Sequence, residues 1–217
     1  MTRATIPSHW SLRSIASRFL CIAAIGLLLS GCSKAPPLAP LPTDAVVLAF
    51  GDSLTHGTGA SNDAAYPAVL SQLISRRVVN AGVPGEVSAA GLARLPEVLE
   101  EVKPRLLILC HGGNDFLRKK PEGEAAANVR AMVQLARQRG IDVVLLATPK
   151  PGLSVSPPDF YEAIAKEFNI PIEQKVLREV LTDNSKKSDL VHPNAAGYRM
   201  MAEALALVLT KAGAVGR

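Results

Sequence analysis

Beyond residue 45 the apolar positions fall into two kinds of run that alternate along the chain. Segments 46–50, 78–81, 106–110 and 142–147 are short and almost unbroken in apolar character. Such runs suit strands covered on both faces, because a sheet with one wet face would show polar residues at every second position. Between them lie longer segments whose apolar residues recur every three or four positions, as with Val69, Leu70, Leu73 and Ile74, or Leu92, Leu95, Val98, Leu99 and Val102. That spacing predicts helices over 66–75 and 89–102, with further helices over 124–139, 160–168, 173–181 and 195–211. Gly140 directly follows the third of these, a normal C-terminal stop. Segment 170–172 is expected to add a short fifth strand. Strand and helix in alternation imply βαβ units and a parallel sheet, an α/β fold. No internal repeat interrupts the pattern.

The first 31 residues follow a different rule. Arg3, Arg13 and Arg18 precede an apolar run over 19–29 with no acidic residue among them. Eleven apolar residues are too few for a stable transmembrane helix, which needs about 20, so the segment reads as a signal peptide. It ends in Leu29-Ser30-Gly31-Cys32, which resembles a bacterial lipobox. The expectation is a lipoprotein signal peptide over 1–31, cleavage before Cys32, and lipid on that thiol. An ordinary secreted protein cut elsewhere, or an uncleaved anchor, are the alternatives. Residues 32–44 contain four prolines, at 36, 37, 40 and 42, and are expected to form an extended tether ahead of one domain over 45–213. Lipid would place the protein on the periplasmic face of the cell envelope, and Ser33 after the lipidated Cys32 favours the outer membrane over the inner.

Charge changes meaning once the signal is removed. Taking its three arginines from 24 basic residues leaves 21 against 19 acidic, so net charge gives nucleic-acid binding little support. Cysteine usage is equally restrictive. Cys21 leaves with the signal and Cys32 would carry lipid, so Cys110 has no partner for an intrachain disulfide. Its place in an apolar run marks it as a small core residue.

The candidate chemistry gathers where strands end. Phe50-Gly51-Asp52-Ser53-Leu54-Thr55 leads from the first strand into a glycine-bearing turn, and a serine there lies in the crevice where α/β sheets bind ligands. Ser53 is therefore a candidate nucleophile. A serine hydroxyl needs a base for its proton and donors for the developing oxyanion. His192 lies three residues after Asp189 in the loop before the last helix, close enough for the carboxylate to orient one ring nitrogen while the other faces Ser53. The Ser53 amide, the Gly85 amide and the Asn114 side chain are candidate oxyanion donors.

Four blocks, Gly51-Asp52-Ser53-Leu54, Asn80 to Gly85, Gly112-Gly113-Asn114-Asp115 and Asp189 to Pro193, resemble in order and spacing the motifs of the SGNH/GDSL hydrolases. The likeness runs over about 46–209 and is greatest to the bacterial periplasmic branch with arylesterase, acyl-CoA thioesterase and lysophospholipase activities. It implies a flavodoxin-like three-layer α/β/α sandwich on a five-stranded parallel sheet. It also implies Ser53 as nucleophile, Asp189 and His192 as orienter and base, an oxyanion hole of Ser53, Gly85 and Asn114, and hydrolysis of esters or thioesters through an acyl-enzyme. No cofactor is implied, the expected partners are a small-molecule or lipid ester and the membrane that holds Cys32, and a monomer is expected. Two positions depart from the pattern: Glu86-Val87 after Gly85, and His111 before Gly112.

Other candidates have plainer readings. His111 is read as a strand-end histidine, with a substrate contact or an alternative base as rivals. His56 reads as solvent-facing turn. Asp52, His56, His111, Asp115 and His192 lack the i, i+4 spacing of a helical metal site, so no metal is expected. Arg118-Lys119-Lys120 forms a basic loop that either overhangs the crevice or is simply solvated, and 148–158, with four prolines, either lines an acyl groove through Leu153 and Val155 or is surface. Two rival functions stand beside the esterase. An O-acetyl esterase on cell-wall sugars is disfavoured by only seven Phe and Tyr residues and no Trp in the mature chain. A non-catalytic envelope-binding lipoprotein would leave Ser53, Asn114, Asp189 and His192 together without a purpose.

Overall fold

The computed structural model describes residues 1–2, 35–152 and 155–216, so Cys32 and, apart from its first two residues, the segment expected to be a signal peptide lie outside the described residues. The chain divides into two units, Met1–Lys34 and Ala35–Arg217, and the second carries the sheet and its helices.

Alternation within each strand builds the layers. In β1 (Val46–Gly51), Val47 and Ala49 enter one apolar cluster while Leu48 and Phe50 enter the other. β3 (Leu106–Cys110) and β4 (Asp142–Leu146) divide in the same way, with Ile108 and Val144 on one side and Leu107 and Val143 on the other. Both faces are thus apolar, which is why these runs show no polar alternation. β2 (Arg77–Gly82) and the two-residue β5 (Ile172–Glu173) complete a parallel sheet of order β2-β1-β3-β4-β5. Order reverses between β1 and β3, so a crevice opens at their carboxyl ends.

Helices α2 (Tyr66–Ile74), α7 (Val176–Thr182) and α8 (Ala195–Lys211) supply Leu70, Val180 and Leu205 to one cluster. Helices α3 (Ser88–Val102), α5 (Glu122–Gln138) and α6 (Phe160–Phe168) supply Leu95, Met132 and Ile164 to the other. The architecture is the expected α/β/α sandwich. Two single-turn helices, α1 (Ser53–His56) and α4 (Gly113–Leu117), follow β1 and β3 directly. One turn is too short to register as a helical period.

Many boundaries shift by one or two residues, and three departures have a clear physical reason. The fifth strand begins at Ile172 rather than at 170, because the Ile170 amide donates to the Ala165 carbonyl at 3.0 Å and so closes the end of α6. Helix α7 starts at Val176 rather than at 173, since Glu173 Oε1 accepts the amides of Lys175 (2.7 Å) and Val176 (2.9 Å) from outside the helix. The proline-rich segment is not free throughout 32–44. Leu38 and Leu41 are buried, and their amides donate to the carbonyls of Ala212 and Ala214, so the packed unit reaches beyond 45–213 at both ends. Proline lacks a donor but leaves its neighbours' amides available, and those neighbours dock here.

Candidate active site

The turn after β1 fixes Ser53. Asp52 Oδ1 caps α1 by accepting the Leu54 amide at 3.0 Å, which places Ser53 at the first position of the helix, at the mouth of the crevice. The opposite wall comes from the loop before α8. Asn194 caps that helix, accepting from Ala196 (3.0 Å) and Gly197 (3.1 Å), and donates to the Ser185 and Lys187 carbonyls, while a bridge between Lys187 and Pro193 closes the loop. Held in this way, His192 brings Nε2 to 3.0 Å from Ser53 Oγ.

Its other ring nitrogen, Nδ1, donates to Asp189 Oδ2 at 2.7 Å, and Asp189 Oδ1 accepts the Val191 and His192 amides, each at 2.8 Å. Some burial works against the charge on Asp189, but the bonds from His192 and the two amides bring its carboxyl below the usual range. The sequence-predicted Ser53, His192 and Asp189 are thus one connected chain of hydrogen bonds. His56 is exposed at the end of α1 and takes no part in it.

The other two donor candidates sit in the loop after β2 and in α4. Gly85, in the loop after β2, has φ +77°, a backbone conformation in which glycine is at ease and other residues are strained. Among the described residues no acceptor pairs with the Ser53 or Gly85 amide. Asn114, in α4, directs its Nδ2 to Asp52 Oδ2 at 3.2 Å and to the Glu86 carbonyl at 3.1 Å. Both bonds are long, so a charged oxygen arriving nearby would compete for those hydrogens effectively. Burial pushes the Asp52 carboxyl up, opposed by His111, the Leu54 amide, His192 and Asn114.

A cavity of about 640 Å³ lies over this group. Apolar side chains from Leu54, Pro84, Leu117, Val155, Leu190 and Val191 line much of it, with Lys150 and Lys187 among its polar members. Val155 therefore reaches the cavity, whereas Leu153 lies outside the described residues. In the basic loop, Arg118 turns back to donate to the Gly85 carbonyl at 2.8 Å. Cys110 is fully buried and burial pushes its thiol far up, as a core residue requires.

Residues 49–200 match the GDSL-like lipase/acylhydrolase family. The chain belongs to that family. It is 34% identical to the esterase TesA of Pseudomonas aeruginosa over 157 residues, covering 69% of this chain and 76% of that one. It is 31% identical to the thioesterase 1/protease 1/lysophospholipase L1 of Escherichia coli K12 over 168 residues, covering 74% and 81%. Among solved structures, that of TesA superposes with a TM-score of 0.68 at 29% identity, covering 76% of this chain and 97% of the other. An SGNH-hydrolase family esterase superposes with a TM-score of 0.62 at 31% identity, covering 78% and 96%.

Two residues of the site were not assigned from sequence. Arg94 donates from Nε to Glu86 Oε1 (2.9 Å) and from a terminal nitrogen to Glu86 Oε2 (2.7 Å). Asp115, buried, accepts both the amide and the hydroxyl of Ser88 at 2.8 Å and so ties the start of α3 to α4. His111 does not face Ser53. It is wholly buried and donates from Nε2 to Glu86 Oε2 at 3.1 Å, which removes it as an alternative base.

Proposed function

We propose that the protein is a serine esterase that hydrolyses carboxylic esters and thioesters, aryl esters and lysophospholipids among them, through an acyl-enzyme. The observation that carries this reading is the Asp189–His192–Ser53 chain, at 2.7 and 3.0 Å, beneath an apolar cavity.

His192 Nε2 takes the Ser53 proton as Oγ attacks the carbonyl carbon of the ester. The carbonyl oxygen becomes an oxyanion, and the Ser53 and Gly85 amides and Asn114 Nδ2 receive it. Collapse returns the carbonyl, breaks the bond to the alcohol or thiol, and passes the His192 proton to that leaving group. Water repeats the sequence on the acyl-serine and regenerates Ser53. Asp189 keeps the Nδ1 proton in place throughout, so that Nε2 is free to accept. The acyl chain lies among Leu117, Val155 and Leu190. Steady-state hydrolysis of p-nitrophenyl esters of rising chain length by the full chain and by Ser53→Ala tests the reading. Turnover by wild type and none by the variant is the expected result, and equal rates would overturn it.

The expected lipid on Cys32 remains part of the proposal, with the periplasmic face of the outer membrane as its site. Incorporation of labelled palmitate by wild type but not by Cys32→Ser is expected; labelling of both would refute lipid on that thiol.

A further inference from the structure

Glu86 is a hub that the proposed chemistry does not use directly. Its carboxylate, 7% exposed, is gripped on one side by Arg94 of α3 and on the other by His111 at the end of β3. Its carbonyl accepts from Asn114, and its amide follows the Gly85 carbonyl that Arg118 holds. Gly85 stands in the loop after β2 and Asn114 in α4, after β3. The Glu86–His111 bond joins the two connections one residue from the first donor and three from the second.

The surroundings are shaped for that bond. A Cβ on Gly91 of α3 would lie 2.4 Å from His111 Nε2, so α3 admits the ring only because that position is glycine. Phe50 underlies both partners of Glu86, with Arg94 4.2 Å above its ring centroid and the His111 ring 5.5 Å away. His111 Nδ1 is buried with no hydrogen-bond partner among the described residues. The link to Glu86 is thus the one polar bond its side chain makes among the described residues. Burying an imidazole for a single bond is costly where an apolar side chain would pack, unless the bond itself matters.

We propose that Glu86 and His111 are positioning residues that fix the separation of the Gly85 and Asn114 oxyanion donors, with Arg94 aligning the Glu86 carboxylate. The proposal rests on the esterase reading. Donors pre-aimed at the oxyanion act on the transition state more than on bound substrate, so loosening them lowers kcat and leaves KM nearly unchanged. A misplacement of about 1 Å costs up to ~10²-fold.

The test compares kcat, KM and the rate of fluorophosphonate labelling for the full chain, Ser53→Ala, His111→Leu, His111→Gln and Gly91→Ala. Glutamine offers a donor near the place of Nε2; leucine fills the space without one. His111→Leu and Gly91→Ala are expected to lose about ten- to hundred-fold in kcat and in labelling rate, with KM within about twofold, and His111→Gln to recover most of the loss. Unchanged kcat in His111→Leu, or a His111→Gln as slow as the leucine variant, would overturn the proposal. Should His111→Leu not fold, Glu86→Gln decides on the same criteria. Absence of Ser53-dependent turnover in the wild type would instead sink the esterase reading.

Discussion

Replacing Asp189 by Asn separates what this side chain does for its loop from what it does for His192. Oδ1 accepts two amides at 2.8 Å, and an asparagine carbonyl oxygen can keep both. Oδ2 accepts from His192 Nδ1 at 2.7 Å, and there the new NH₂ group can only donate. Nδ1 must then accept, which moves the ring proton to Nε2, the nitrogen facing Ser53 Oγ at 3.0 Å. A protonated Nε2 cannot take the serine proton. For a buried aspartate in a serine triad the corresponding loss is about 10⁴-fold. The Asp189 side chain is 53% exposed, so water competes for its partner and weakens its hold on the imidazolium. We therefore expect kcat to fall about 10³-fold at pH 7, equivalent to about 4 kcal/mol of barrier, with KM and melting temperature close to wild type. Stopped-flow release of p-nitrophenol measures the acylation step directly. A loss smaller than about tenfold would show that Asp189 does not set the tautomer, and the assigned order of the chain would be wrong.

Asn114→Ala removes one donor and is expected to lower kcat by about 10²–10³-fold, read from the same ester assay; an undiminished kcat would take Asn114 out of the oxyanion hole. For Glu86, burial opposes the charge but the bonds from His111 and Arg94 prevail and bring the carboxyl from 4.5 down to about 2. Between those values the unfolded chain binds the proton that the folded chain does not, so stability from Glu86 is complete above about pH 4.5 and is lost as pH falls toward 2. Urea unfolding of wild type and Glu86→Gln across that range should therefore converge in stability as pH falls; Asp52, whose burial-raised carboxyl works in the opposite sense, is common to both chains and cancels. Leu205→Ala empties a fully buried position of α8 and should cost about 2–5 kcal/mol, lowering the melting temperature by about 5–15 °C. Calorimetry checks that value, and a shift under about 2 °C would mean that the sheet and α8 close over the gap.

The legible part of this fold was the part in which neighbouring residues carry the signal. Leu106 to Cys110 read as a buried strand because both faces of the sheet are covered and every side chain must be apolar. Ser53, Asn114 and His192 read as a site because each follows a strand or precedes a helix inside a short motif, and strand ends converge in a parallel sheet. Leu38 gave no such signal. Four prolines dominate its neighbourhood, and its burial depends on the end of α8, more than 170 residues away in the chain.

The Glu86 hub shows where reading by segment stops. Its three members come from the β2–α3 loop, from α3 and from the end of β3, and each has an innocuous local explanation: a loop acid, a helix-surface arginine, a strand-end histidine. Only the pairing of β1 with both β2 and β3 brings those elements side by side. The sequence did mark two of the three, because Glu86 and His111 were, with Val87, the positions that departed from the motif pattern. An acid is expected at position 86 as well, so what departs there is its length, while at 111 a basic residue stands where a non-basic one is expected. Both positions are visible in the chain itself, and here they meet at 3.1 Å beside the proposed oxyanion donors.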